Sequence, residues 1–101
     1  MTHEFPMRNR YLIAYDVSDD KRRTRIFKTL MGNGDHVQFS VFFCDLNDVE
    51  LMRLKGSIAG SVNQRQDQVI ILDLGPAGSD VQSRLECLGK AYSPPGRVTV
   101  I

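Results

Sequence analysis

Only two cysteines and two histidines occur in the 101 residues. Two thiols cannot build the disulfide framework of a small secreted fold, and neither Cys44 nor Cys87 has a second cysteine or a histidine at metal-binding spacing. Both lie in apolar periodic stretches and are expected to be buried free thiols. No apolar run reaches the 18 residues that cross a bilayer, so no membrane partner is expected. Residues 1–6 lack the basic region and apolar core of a secretory signal, and a reducing cytoplasm fits best. There is no glycine-rich nucleotide loop, no nucleophilic serine or cysteine triad, no zinc knuckle, no internal repeat and no low-complexity tract. Nor does one charge dominate, with 13 Lys+Arg against 12 Asp+Glu.

What is present suits one soluble domain. A chain of this length buries roughly 60–70% of its unfolded surface, enough for a single core without staples and too little for an enzyme with an interdomain cleft. Residues 1–6 read as a disordered extension, 7–92 as the domain, and 93–101 as a proline-rich spacer with a terminal strand. The charge is unevenly spread: residues 1–30 hold seven basic and four acidic side chains, whereas residues 31–60 hold two and four. Five of those cations, Lys21, Arg22, Arg23, Arg25 and Lys28, fall within eight positions. They read either as a solvated helix face or as a phosphate-contacting surface.

Residues 10–16 (Arg-Tyr-Leu-Ile-Ala-Tyr-Asp) have the composition of a buried strand ending at a carboxylate. Ser18 or Asp19 can cap the helix that follows, where Ile26, Phe27, Leu30 and Met31 face a core. Gly32-Asn33-Gly34 suits the left-handed backbone that ends a helix. Residues 36–46 read as strand, divided by a kink near residues 38–40. Asn47 and Glu50 form a capping box for a helix whose stripe is Val49, Leu51, Met52, Leu54 and Ile58, ending near Gly60. Residues 68–74 read as another buried strand. Ser79 with Gln82 can cap a short helix bearing Val81, Leu85 and Leu88; after the Ser-Pro-Pro-Gly spacer, residues 97–101 form a final strand.

The order β-α-β(β)-α-β predicts an α+β, ferredoxin-like βαββαβ sandwich with an extra C-terminal strand. Two helices cover only one sheet face, so a second copy of the chain is the expected cover for the other, making a homodimer. The last strand either completes its own sheet or adds to the partner's edge.

Asp16 is the sharpest chemical candidate, a strand-end carboxylate beside a basic helix. It either begins a turn or, paired with its copy across a two-fold axis, holds a metal. Two carboxylates about 5 Å apart repel by roughly 3 kcal/mol at an effective dielectric near 20. A divalent cation such as magnesium shared across the dimer offsets this, as does protonation of one carboxyl. The cations and Ser18 can meet phosphate oxygens. Tyr15, Phe39 and Phe42 are either core or base-stacking rings, and His36 is expected to be structural or on the surface.

Residues 11–23 (Tyr-Leu-Ile-Ala-Tyr-Asp-Val-Ser-Asp-Asp-Lys-Arg-Arg), the following Arg25-Ile-Phe-Lys and Val-Gln-Phe-Ser-Val-Phe (37–42) together resemble the CRISPR-associated protein two family. These small spacer-acquisition proteins are also credited with endoribonuclease activity. The resemblance implies a homodimer with exchanged C-terminal strands and Asp16 as the metal-associated residue of each subunit. It also implies nuclease roles for Tyr15, Arg23, Arg25 and Phe42, and matches Ser40 to the motif serine. His36 stands where the family often has arginine, which argues against strong hydrolysis.

Two functions follow from the resemblance. One is a magnesium-dependent endonuclease acting on single-stranded RNA or duplex DNA. The other is a CRISPR-adaptation adaptor that holds duplex DNA and bridges the CRISPR-associated integrase. The alternative outside both is a non-catalytic ferredoxin-like dimeric binding or regulatory module.

Overall fold

A computed structural model describes residues 7–78 and 84–92. The first strand, β1 (Asn9–Asp16), alternates strictly: Tyr11, Ile13 and Tyr15 are buried, while Leu12 and Ala14 between them are half-covered and Asp16 is exposed. That two-residue period means one face of the strand meets a core and the other does not. Helix α1 (Asp20–Met31) starts at Asp19, whose carboxylate accepts the Arg22 backbone N–H at 2.9 Å. It buries Ile26 and Leu30 completely and half-buries Phe27, but Met31, expected in the core, is exposed at the end of the last turn.

None of Gly32, Asn33 and Gly34 adopts the left-handed backbone expected of them. The helix ends instead because the N–H groups of Asn33 and Gly34 both return to the Leu30 carbonyl, and the Asn33 amide donates to the Thr29 carbonyl at 2.7 Å. Gly34 is required by close approach, since a Cβ there would lie 2.3 Å from the Phe43 carbonyl oxygen and 2.4 Å from the Cys44 sulfur.

The expected kink divides the next segment into β2 (Asp35–Gln38) and β3 (Val41–Leu46), joined by a turn at Phe39 and Ser40. Helix α2 (Asp48–Ala59) carries the complete Asn47–Glu50 capping box. Its core stripe is narrower than the sequence suggests: Leu54 and Ile58 are buried and Leu51 packs partly, whereas Val49 and Met52 face outward. Strand β4 (Gln68–Pro76) completes an antiparallel sheet of order β2-β3-β1-β4. This is the ferredoxin-like α+β sandwich, with β3 inserted between the parallel strands β1 and β2.

Cross-strand partners sort the faces. Ile13 sits opposite Phe42 and Ile71, and Tyr11 opposite Cys44, all toward the helices. Leu12 sits opposite Phe43 and Leu72, and Ala14 opposite Val41 and Ile70, all on the other face. There Ile70 and Leu72 are 51% and 52% exposed, so β4 is buried on one side only rather than on both. Residues 84–92 lie over the β2–β3 half of this face, where the Tyr92 ring meets Phe43 edge-on at 6.3 Å.

Residues 84–92 contain no α-helix, so the expected short helix does not extend through Leu85 and Leu88; its beginning lies outside the described residues. Cys44 is buried as expected and its thiol is pushed up to about 12 by burial. Cys87 is exposed, because its segment is irregular and its apolar neighbour Leu88 points outward. The N-terminal extension, the proline-rich spacer and the terminal strand also lie outside the described residues.

Candidate functional site

Asp16 ends β1 where the strand leaves the sheet, and by the alternation it shares the helix-free face with Leu12 and Ala14. Its carboxylate is exposed and forms no ion pair with a described residue. Gln68 faces it across the β1–β4 ladder. No group of three or more His, Cys, Asp or Glu able to hold a metal occurs among the described residues. A single protomer therefore brings one hard oxygen ligand. Magnesium is content with one or two carboxylates plus water and phosphate, so Asp16 fits such an ion when a second copy adds its own carboxylate.

Tyr15 lies on the opposite side of β1 and is buried, stacked on Phe42 with ring centroids 6.4 Å apart. Burial pushes its phenol above the usual range, and a hydrogen bond with Ser40 and the nearby Arg23 charge act against that rise. Phe42 is completely buried. Phe42 belongs wholly to the core beneath the site and can act on chemistry only by positioning β1, whereas Tyr15 also lines the cavity at the β2–β3 turn.

The helix cations separate into two groups. Arg22 donates to both Asp67 carboxylate oxygens, at 2.7 and 3.1 Å, and to Gln66, while the Asp67 side chain is fully buried. That pair ties α1 to the loop before β4, and the Arg22 hydrogen bonds, with that of the Asn63 N–H next, hold the Asp67 carboxyl below its ordinary range. Arg23 donates to the carbonyls of Val17 and Ser18 at 3.0 and 3.1 Å and also to Asp20. It clasps the turn that follows Asp16, with two of its five N–H donors uncommitted among the described residues. Lys21, Arg25 and Lys28 are exposed and ion-pair with no described residue. Spaced three and four apart, they form one cationic stripe along α1.

The β2–β3 turn brings a further element to that stripe, a cavity of about 310 Å³. The rings of Phe27, His36 and Phe39 line it together with Arg23, Thr24 and Ser40. His36 is half-buried: its ring stands edge-on to Phe27 at 5.3 Å and 4.9 Å from Phe42, and its Nε2 lies 2.7 Å from the Phe39 carbonyl oxygen. Phe39 is 89% exposed with φ of 31°. A bulky residue in left-handed backbone costs of order 1–3 kcal/mol, usually tolerated where function needs it. The sequence leaves Phe39 undecided between core and stacking roles; in the structure it stands outside the β2–β3 ladder, whose register shifts between His36 and Gln38 just before it.

The structure thus places Arg23 and Asp16 on either side of one turn, sets Lys21, Arg25 and Lys28 beside them, withdraws Phe42 into the core and leaves Tyr15 largely buried on the wall of the cavity. The family profile described as CRISPR associated protein Cas2 matches residues 8–79. The CRISPR-associated endoribonuclease Cas2 of Geobacter sulfurreducens is 38% identical over 95 residues, covering 94% of this chain and 99% of its own. A Rhodospirillum rubrum protein of the same name is 40% identical over 91 residues, covering 90% and 88%. Among solved structures, a hypothetical protein from Thermus thermophilus superposes with a TM-score of 0.73 at 30% identity, covering 86% of this chain and 98% of its own. Cas2 of Streptococcus pyogenes superposes with a TM-score of 0.72 at 28% identity, covering 79% and 99%. With the profile spanning most of the sheet and helices and the relatives aligned nearly end to end, this chain belongs to the CRISPR-associated Cas2 family.

Proposed function

We propose that the protein acts as a homodimer that binds nucleic acid and cleaves phosphodiester bonds with a divalent metal, magnesium, held between Asp16 and its copy in the second subunit. The observation that carries this reading is the placement of Asp16. It is an exposed carboxylate on the uncovered sheet face, without a described cationic partner, at the turn that Arg23 clasps. The apolar residues beside it on that face, Ala14, Ile70 and Leu72, give a second copy a reason to dock there. The name endoribonuclease carried by the relatives agrees with hydrolysis of an RNA backbone.

The ion, when bound, would supply Lewis-acid stabilisation and an activated water. The chain's own residues supply the rest. The stripe of Lys21, Arg25 and Lys28 attracts the phosphate backbone, and the spare donors of Arg23 orient a phosphate next to Asp16. Ser18, exposed in the same turn, offers a neutral hydroxyl to a non-bridging oxygen. The buried Tyr15–Phe42 stack keeps the strand end from shifting.

A second reading is favoured by the small number of acidic ligands. One carboxylate per subunit and no third ligand among the described residues are a sparse provision for hydrolysis, whereas the cationic stripe alone suffices for an adaptor that holds DNA and bridges the integrase during spacer capture. The Asp16→Asn variant separates the two. In the nuclease reading it abolishes magnesium-dependent cleavage of short single-stranded RNA and duplex DNA while leaving binding intact. Unchanged cleavage by Asp16→Asn would overturn the metal assignment; abolished cleavage with retained spacer capture would make the adaptor role the physiological one.

A further inference from the structure

The metal-and-phosphate reading uses Arg23 and Tyr15 from the lining of the cavity at the β2–β3 turn but gives no task to Phe27, His36 and Phe39, which line it with them. We propose that it is a nucleobase subsite, in which an unstacked base of a single-stranded nucleic acid inserts against Phe39 and the rings of Phe27 and His36 while its backbone follows the cations of α1. The inference rests on the nucleic-acid reading above and adds to it the part of the substrate that is recognised.

Phe39 gains little burial among the described residues, being 89% exposed, yet it sits in left-handed backbone where glycine or asparagine would be unstrained. The turn is nonetheless held rigidly: His36 Nε2 meets the Phe39 carbonyl at 2.7 Å, and the Tyr15 N–H donates to the Ser40 carbonyl at 3.0 Å. An exposed aromatic ring carried at the mouth of a cavity by a hydrogen-bonded turn is a stacking platform. Beyond those rings, the lining adds Tyr15, Arg23, Thr24 and Ser40, which offer hydrogen-bond donors and acceptors to the polar edge of a base.

Charge identifies the occupant further. Thr24 lines the cavity and lies on α1 between Lys21 and Lys28, so the cationic stripe passes its mouth. An apolar metabolite would draw nothing from those cations, and a base paired within a duplex cannot leave its stack to enter without a cost that a single strand avoids. The occupant that uses both the rings and the cations is a base attached to its own phosphate backbone.

Binding in EDTA, which removes metal-dependent cleavage from the measurement, tests this with wild type, Phe39→Asn and Phe39→Tyr. Asparagine tolerates the left-handed backbone and tyrosine keeps a ring, so both variants should fold, which circular dichroism checks. Anisotropy with a single-stranded oligoribonucleotide should show Phe39→Asn weakened roughly 5- to 100-fold and Phe39→Tyr close to wild type, with duplex DNA changed less than about 2-fold. A 2-aminopurine base in the single strand should be quenched on binding wild type and stay bright on binding Phe39→Asn. Unaltered single-strand affinity, equal weakening on the duplex, or quenching that survives Phe39→Asn would overturn the subsite and leave the nucleic-acid reading standing. Failure of wild type to bind either nucleic acid at low salt would overturn both.

Discussion

Gly34 and Glu50 show how much of this fold hangs on single positions. A methyl group at Gly34 would meet the backbone of the adjoining strand at 2.3 Å, and strand backbone cannot step aside as a flexible side chain does. Gly34→Ala should therefore cost about 1–3 kcal/mol, read as a lowered urea midpoint at unchanged slope. Glu50 closes the α2 capping box through the Asn47 N–H at 2.8 Å and receives both forks of Arg8 at 2.9 Å. Those bonds, the Arg8 pair first, hold its carboxyl at about 2, below the ordinary 4.5. A carboxyl depressed in the folded state stabilises the protein above its unfolded value and loses that contribution as pH falls toward the folded one. Stability should thus decline between about pH 4.5 and 2, and Arg8→Ala should flatten that part of the pH–stability curve measured by urea unfolding. At this scale Asp16 and the Asn47–Glu50 box are legible in the sequence because each is local. The commitment of Arg22 to Asp67 is not, since its partner lies 45 positions away and only the folded sheet brings them together.

At the scale of elements, α1 has one wall in the core and another that carries the cationic stripe. Reversing Lys21, Arg25 and Lys28 to glutamate should lower affinity for single-stranded nucleic acid and reduce the slope of log K against log salt by about 0.7 for each phosphate that the helix no longer neutralises. Since Ile26 and Leu30 remain buried, the thermal transition should hardly move. An unchanged salt slope would remove the helix from the binding surface. The helix and strand order can be read from periodicity and caps, and so can the division between β2 and β3. The width of each apolar stripe cannot: Met31, Val49 and Met52 extend the pattern on the two helices, yet the sheet is too narrow to cover them. The helix ends at these glycines as their composition suggests, but through hydrogen bonds to the Leu30 carbonyl, and the close packing that requires Gly34 is a tertiary fact that local backbone preference does not contain.

For the whole molecule, the decisive quantity is the uncovered side of the sheet. Ile70 and Leu72 are each about half exposed, so completing their burial against a second copy is worth roughly 1 kcal/mol per side chain. The double variant Ile70→Lys, Leu72→Lys should lose roughly 4 kcal/mol across the pair of subunits, about a thousandfold in dimer affinity. Sedimentation would then show a monomer with unchanged far-ultraviolet dichroism, whereas an undisturbed dimer would place the interface elsewhere. A one-sided sandwich is legible in the sequence because two helices cannot cover both faces. That residues 84–92 shelter the β2–β3 half and leave the β1–β4 half bare is not, since that segment has no regular pattern to place it.

Asp16 projects from that same bare half. On the proposed mechanism, hydrolysis is then second order in protein once dilution leaves most subunits apart: thinning the sample to that point should depress turnover per milligram, and concentrating it should restore the rate. A cell could govern how much nucleic acid is cut through nothing more than how many copies of the chain it makes.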